Sequence, residues 1–326
     1  MNTSITKKEN RLPREVWIAG ISLKGIWPVD TVEQRMKDIL KRMESVYPFE
    51  PDIICLPETV NISWVNEVKG IENIAESEDS PGPVTSMLAE VAKKQNCYIA
   101  CPVITKKGGR YYNSSLLLNR QGKIEGAFHK VHPVSTEIIP GSYYAGSGVT
   151  PGAIKPPVFK TDFGVVGMQI CFDANWTESW RLLREQGAEL VCFPSQGPFT
   201  YALRNHAWMN QYAIVSSTGE DAQIIDQAGD SIALDGHFAR WVCAPINFEK
   251  VLIQIWPHTL KFDSIQKKYG RKIRFKIYHE ENWATLESRD PDVKVKDILK
   301  EYEIPSFDEQ IAEATAIQNK YRIREA

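Results

Sequence analysis

Short aliphatic runs alternate along the chain with longer segments whose apolar residues recur three and four apart. The runs VWIAGISL (16–23), DIICLPE (52–58), YIACPVI (98–104), GVVGMQICFD (164–173), ELVCFPS (189–195), IVSST (214–218) and WVCAPINF (241–248) predict strands. SSLLLNRQGKIEG (114–126) and AQIIDQAGDSIA (222–233) each hold a turn between apolar flanks, at Gln121-Gly122 and Ala228-Gly229, and predict hairpins. Segments 31–46, 82–96, 176–187 and 200–212 predict helices. Helices between strands, with hairpins mixed in, imply a layered α/β fold with a partly antiparallel sheet.

The texture changes after residue 262. KFDSIQKKYGRKIRFKIYHEENWATLESRDPDVKVKD is highly charged and carries one strand-like run, IRFKIY, before a helix predicted over 307–323. The expected organisation is a tail over 1–13, a main domain over 14–262 and a C-terminal extension over 263–326. That extension is either a solvated appendage or an arm that packs on a partner subunit. No internal repeat or low-complexity tract stands out.

Composition narrows the function classes. The 326 residues are 43% hydrophobic and 25% charged, with a formal net charge of −2. This is ordinary globular composition, without the basic excess that nucleic acid or an anionic membrane surface would require. No apolar stretch nears the roughly 20 residues of a membrane span. The N-terminus, MNTSITKKENRLPREV, lacks the apolar core of a secretory signal. The six cysteines sit mostly inside apolar runs, which suits reduced thiols in a cytoplasmic compartment rather than a disulfide framework. Without a CxxC pair or a histidine cluster at zinc spacing, neither a metal nor another cofactor is expected.

Candidate chemistry gathers at strand ends, where open α/β sheets place their active groups. IICLPETV ends on Glu58, GAFHKVHPV carries Lys130, and MQICFD ends on Cys171. Each alone has a plain structural explanation: a segment start, a surface lysine, a small core residue. Together they are an acid, a cation and a thiol, and a thiol needs such help because only a few per cent of it is ionised at neutral pH.

Leu-Pro-Glu (56–58), Lys-Val-His-Pro (130–133) and Cys-Phe-Asp (171–173) resemble, in order and spacing, the motifs of the carbon–nitrogen hydrolase (nitrilase) superfamily. The flanks GAELVCFPS (187–195) and HKVHPVSTEIIPG (129–141) resemble it too, and the likeness runs from about Val16 to Phe248. It implies a four-layer α-β-β-α sandwich with mixed sheets, a catalytic main domain, and assembly as a homodimer or larger homo-oligomer. In the roles it implies, Glu58 is the base, Cys171 the nucleophile, and Lys130 the cation beside the developing oxyanion. The backbone N–H of Phe172 completes the oxyanion hole, and Glu137 bonds near the lysine. Asn113, in YYNSS, is expected to hold loop backbone near the site, and Asp173 to pin the turn after the thiol. Tyr143, Tyr144, Trp64, Asn175, Trp176 and Ser195 are candidate pocket residues. His129, His132 and His206 belong to no papain-like or caspase-like motif, so a Cys-His protease is not expected.

The substrate reading rests on the residues just after the cysteine. True nitrilases of the superfamily usually carry Trp-Glu there; this chain has Phe172-Asp173, which resembles the amidase and carbamoylase branches. Carbamoyl-amino-acid hydrolases often place arginines three and four residues after the cysteine to grip a substrate carboxylate, where this chain has Ala174 and Asn175. The expected partner is thus a small amide or N-carbamoyl compound, with an uncharged or cationic amide favoured. Acyl transfer, nitrile hydrolysis or an idle binding scaffold stand as alternatives. Thr177, where many relatives have proline, is expected to cap the next helix.

Overall fold

Strands and helices form close to where hydrophobic periodicity places them, and the computed structural model describes residues 12–26, 28–142 and 146–322. Tyr143 and Tyr144 lie outside the described residues. One compact unit spans Val16–Ile246, and a second is made of the described residues outside that range.

The first half of the chain supplies β1 (Glu15–Ile21), α1 (Val32–Met43), β2 (Ile53–Cys55), β3 (Glu76–Ser77), α2 (Pro83–Gln95), β4 (Tyr98–Lys107), β5 (Arg110–Leu118), β6 (Ile124–His129) and the short α3 (Ser135–Ile138). Next come β7 (Phe159–Lys160), β8 (Val165–Met168), α4 (Glu178–Glu185), β9 (Leu190–Pro194), α5 (Thr200–Asn210), β10 (Ala213–Ser217), β11 (Ala222–Ile225), β12 (Ser231–Asp235) and β13 (Trp241–Asn247). One sheet runs β13-β1-β2-β4-β5-β6, with β3 also beside β4; the other runs β12-β11-β10-β9-β8-β7. Both are mixed. β1, β2 and β4 are parallel and lead into the antiparallel β5–β6 hairpin; β8, β9 and β10 are parallel and lead into antiparallel β11 and β12. The same topology thus occurs twice, although no repeat is visible in the residues.

Burial explains the near-continuous apolar runs. Ala19, Ile21, Ile54 and Leu56 join Met36, Ile39 and Leu88 of α1 and α2 in one core cluster. Val191, Phe193, Ile214 and Ile225 join Trp180, Leu183, Leu203 and Ala207 of α4 and α5 in another. The alternate residues of the same strands, including Ile18, Ile53, Leu190 and Val215, are also buried, so each sheet is covered on both faces. The faces away from the helices meet each other: the Ser217 hydroxyl donates to Cys55 O at 2.8 Å and accepts from Ile21 N at 3.1 Å. The layers are therefore α-β-β-α, as expected.

Local details follow their chemistry. In the β5–β6 turn, Asn119 Oδ1 accepts from the backbone of Gln121 and Lys123, each at 2.9 Å. Gly122 holds φ 75°, and a Cβ there would lie 2.5 Å from Ala89 O, so glycine is required twice over. Thr177 occupies the position before α4 but makes no side-chain cap, because its backbone is helical (φ −104°, ψ −25°) rather than extended.

The smaller unit contains β14 (Lys250–Gln254), α6 (Thr259–Tyr269), β15 (Ile273–Tyr278), β16 (Trp283–Ser288), α7 (Val295–Glu301) and α8 (Phe307–Tyr321). Its antiparallel sheet runs β14-β16-β15. Ile253, Phe262, Ile265, Leu286 and Ile298 anchor a core of its own. The charged stretch that reads as appendage or arm therefore builds a hydrophobic centre. IRFKIY is β15; β16, WATLES, has no apolar periodicity to announce it, yet nearly all of it is buried. Among the described residues, no helix is long and apolar enough to cross a membrane.

Candidate active site

Strand register carries the predicted residues to one level. Cys55 pairs with Ala100, Ile104 with Asn113, and Ser114 with His129. Beyond the last pair, Val60 N donates to Pro102 O at 3.0 Å and Lys130 N to Asn113 O at 2.8 Å. Glu58, Asn113 and Lys130 thus leave neighbouring strands at the same end. In the second sheet Met168 pairs with Cys192, and the same offset sets Cys171 level with Ser195. β2 packs on β9 and β10, which brings the two ends together.

The Lys130 ammonium sits between two carboxylates, 2.8 Å from Glu58 Oε1 and 2.7 Å from Glu137 Oε2. Asn113 Nδ2 spans the same pair, donating to Glu58 Oε1 at 2.9 Å and to Glu137 Oε1 at 2.7 Å. Two carboxylate acceptors fix which end of the amide faces them, since only the NH₂ can donate. Glu137 also accepts from Val134 N at 2.9 Å, so both its oxygens are engaged. Glu58 differs: Oε1 takes both bonds, and Oε2 has no hydrogen-bond partner among the described residues. All four side chains are buried. Burial works against the ammonium, but Glu58, Cys171 and Glu137 outweigh it and hold the Lys130 pKa above the ordinary lysine value.

Cys171 opens a short 3₁₀ turn at the end of the β8 approach, with a left-handed φ of 48°. Such a conformation is unfavourable for a residue with a Cβ and recurs at functional positions. Burial, then the Glu58 charge, push its thiol up to about 12; Lys130, the Ser195 side chain and the Gln196 backbone pull the other way. The thiol stands within electrostatic reach of both an acid and an ammonium. Phe172 N–H has no acceptor among the described residues. Asp173, fully buried, accepts from Ile170 N at 3.0 Å, His132 N at 2.7 Å and the His132 ring at 3.0 Å. One carboxylate thereby ties the turn that carries the thiol to the loop that follows the lysine.

The other candidates fall in different places. Ser195 is buried beside Cys171 and bonds Gly197 O at 2.7 Å. Asn175 turns its amide back to Phe172 O at 3.0 Å. Trp176 is half-exposed and stacks on His132, ring centroids 4.0 Å apart. Trp64 is exposed, and Tyr143 is outside the described residues. None of the three weighed histidines is bonded to Cys171: His129 pairs with Glu78, His132 with Asp173, and His206 stacks on Trp180. Sequence reading missed Gln196, whose Nε2 donates to Glu58 O at 2.9 Å and Ser63 Oγ at 3.0 Å, and the His132–Asp173 tie. The signal for Gln196 was its place just past the β9 exit, beside the strand that delivers Cys171. Among the described residues no group of three or more His, Cys, Asp or Glu is placed to hold a metal ion.

The chain is similar to known proteins over most of its length. The chain is 28% identical over 215 residues to the chloroplastic omega-amidase of Arabidopsis thaliana, covering 62% of this chain and 57% of that protein. It is 24% identical over 285 residues to omega-amidase NIT3 of Saccharomyces cerevisiae, covering 83% of this chain and 97% of the yeast protein. The fold superposes on the crystal structure of the C. elegans NitFhit protein with a TM-score of 0.62 at 18% identity, over 80% of this chain and 66% of that one. The family model described as Carbon-nitrogen hydrolase matches residues 26–254, which takes in every residue of the buried cluster, and the chain belongs to that family.

Proposed function

We propose that the protein hydrolyses a non-peptide carbon–nitrogen bond of a small amide through a thioester on Cys171. The observation that supports this best is the unequal use of the Glu58 oxygens. Lys130 and Asn113 hold Oε1, which leaves Oε2 to take a proton from a thiol that is otherwise un-ionised. As the Cys171 sulfur adds to the substrate carbonyl, its proton passes to Glu58 Oε2. The remaining Lys130 N–H and the Phe172 N–H supply donors for the oxyanion, where preorganised donors are each worth about 10²–10³ in rate. Collapse breaks the C–N bond, and Glu58 returns the proton to the leaving amine. Glu58 then takes a proton from water as the water oxygen adds to the thioester; collapse breaks the C–S bond, Glu58 gives that proton back to the sulfur, the carboxylic acid departs and the Cys171 thiol is restored. Glu137, 2.7 Å from the ammonium, positions Lys130.

The substrate class is read from the groups around Cys171. Ala174 and Asn175 offer no guanidinium for a carboxylate, and Asn175 is turned to Phe172 O. An uncharged or cationic amide fits better than a carbamoyl amino acid. The test is ammonia release across a panel of amides, N-carbamoyl compounds and nitriles, with added hydroxylamine to report acyl transfer. Release from amides, abolished in Cys171→Ala, supports the reading. Release from nitriles alone, or turnover that survives Cys171→Ala, removes it.

A further inference from the structure

The basic residues around the start of β15 are mostly neutralised by acids of the same unit. Lys267 pairs with Asp263, Lys268 with Glu301 and Lys272 with Asp290. Arg271 and Arg289 differ: their side chains have no ion-pair or hydrogen-bond partner among the described residues. The fold nonetheless draws them together. Ile273 pairs with Ser288, so β15 starts beside the end of β16, and Arg289 N donates to Lys272 O at 2.7 Å. Arg271, Lys272, Arg289 and Asp290 then line one cavity of about 390 Å³, with Leu12 and Glu15 as its remaining walls. All of these residues belong to the smaller unit, which holds none of the buried cluster around Cys171.

Neither acid of the cavity is available to the two guanidiniums. Asp290 takes the Lys272 ammonium on Oδ2 at 3.1 Å and Asp292 N on Oδ1 at 2.9 Å, so both its oxygens are engaged. Glu15 is buried at the start of β1 and has a partner of its own. Like charges gathered in a concavity without counter-charge attract an anion. Guanidiniums hold tetrahedral oxyanions through paired donors, which an ammonium cannot do. We propose that this cavity binds a phosphate group, either the free ion or a small phosphomonoester. Two unneutralised guanidiniums call for two negative charges, which a phosphate group carries nearly in full at neutral pH and a single carboxylate does not. The cavity is at the small end of the range for ligand pockets, and Leu12 gives it an apolar wall, so an organic body of a few atoms fits beside the phosphate. This goes beyond the hydrolytic reading and does not depend on it.

The test is isothermal titration calorimetry on the full chain in chloride buffer near neutral pH, with inorganic phosphate, glycerol 3-phosphate and acetate as probes. One saturable site for a phosphate probe is expected. Tighter binding of glycerol 3-phosphate assigns the site to a phosphomonoester, and equal or tighter binding of inorganic phosphate assigns it to the free ion. Arg271→Gln and Arg289→Gln should each weaken that binding about tenfold or more, with thermal melts like that of the parent chain. Arg274→Gln, at an exposed cation of β15 outside the cavity, should leave it unchanged. No saturable binding of either phosphate probe, acetate bound as tightly as they are, full binding by the Arg271 and Arg289 variants, or an equal loss in Arg274→Gln overturns the proposal.

Discussion

Asn113 donates from one amide nitrogen to both Glu58 and Glu137, 2.9 and 2.7 Å away, and so bridges two carboxylates that flank the same ammonium. The cluster holds two negative charges and one positive in a buried place. Those two N–H bonds offset the excess negative charge, as burial of an imperfectly paired charge requires.

Asn113→Ala removes one charged hydrogen bond from each carboxylate. Such bonds are worth about 1.5–3 kcal/mol, so kcat should fall roughly 10- to 100-fold while KM moves little, as steady-state kinetics on a turned-over amide will show. Asn113→Asp, which adds a third carboxylate, should cost more than alanine.

The Glu58 charge is one cause of the high Cys171 pKa of about 12. Glu58→Gln should therefore lower that pKa and yield more thiolate at mildly alkaline pH, read by ultraviolet thiolate absorbance. Turnover should nonetheless drop by about 10²–10⁴, the usual cost of losing a general base. More thiolate with undiminished turnover would mean that a preformed thiolate, rather than proton transfer to Glu58, activates the sulfur.

A Cβ on Gly152 would sit 2.3 Å from His129 O and 2.9 Å from His129 C, and Gly152 N donates to Lys130 O at 2.8 Å. Gly152→Ala must push the backbone that carries Lys130. A loss of about 1–3 kcal/mol in urea unfolding is expected, together with a fall in kcat.

Glu78 is buried beside His129, with Nε2 at 2.5 Å, Lys107 Nζ at 3.0 Å and Thr105 Oγ1 at 2.8 Å. Burial raises its pKa, but the hydrogen bonds from His129, Lys107 and Thr105 prevail and hold it at about 2, against 4.5. The folded-state pKa is depressed, so the stabilisation is complete above 4.5 and is lost as pH falls from there toward 2. At most it is worth about 2–3 kcal/mol. Urea unfolding should place Glu78→Gln below the parent chain near neutral pH, with the gap narrowing as the acid range is entered.

The hairpin over 114–126, the helix over 31–46 and the strand ends at Glu58 and Cys171 are all legible in the residues. Each depends on contacts only a few positions away: a turn with its glycine, an apolar stripe, a buried run that stops. β16 was not legible, because Thr285, Glu287 and Ser288 are buried by strands on either side rather than by any pattern of their own. Trp176 and Asn175 read as pocket residues by nearness to Cys171, and chain nearness does not say which way a side chain turns.

By itself, then, the sequence determined the layered α/β class, the order of its strands and helices, and which side chains carry reactive groups, since period and residue type are local properties. Only the tertiary structure decided that Lys130 lies between Glu58 and Glu137, that Asn113 spans both, that Gln196 braces the Glu58 backbone and Asp173 the turn at Cys171, and that one Glu58 oxygen has no hydrogen-bond partner among the described residues. Those relations join residues up to 138 positions apart. They are set by strand register and by two sheets packing face to face, and no window along the chain contains them.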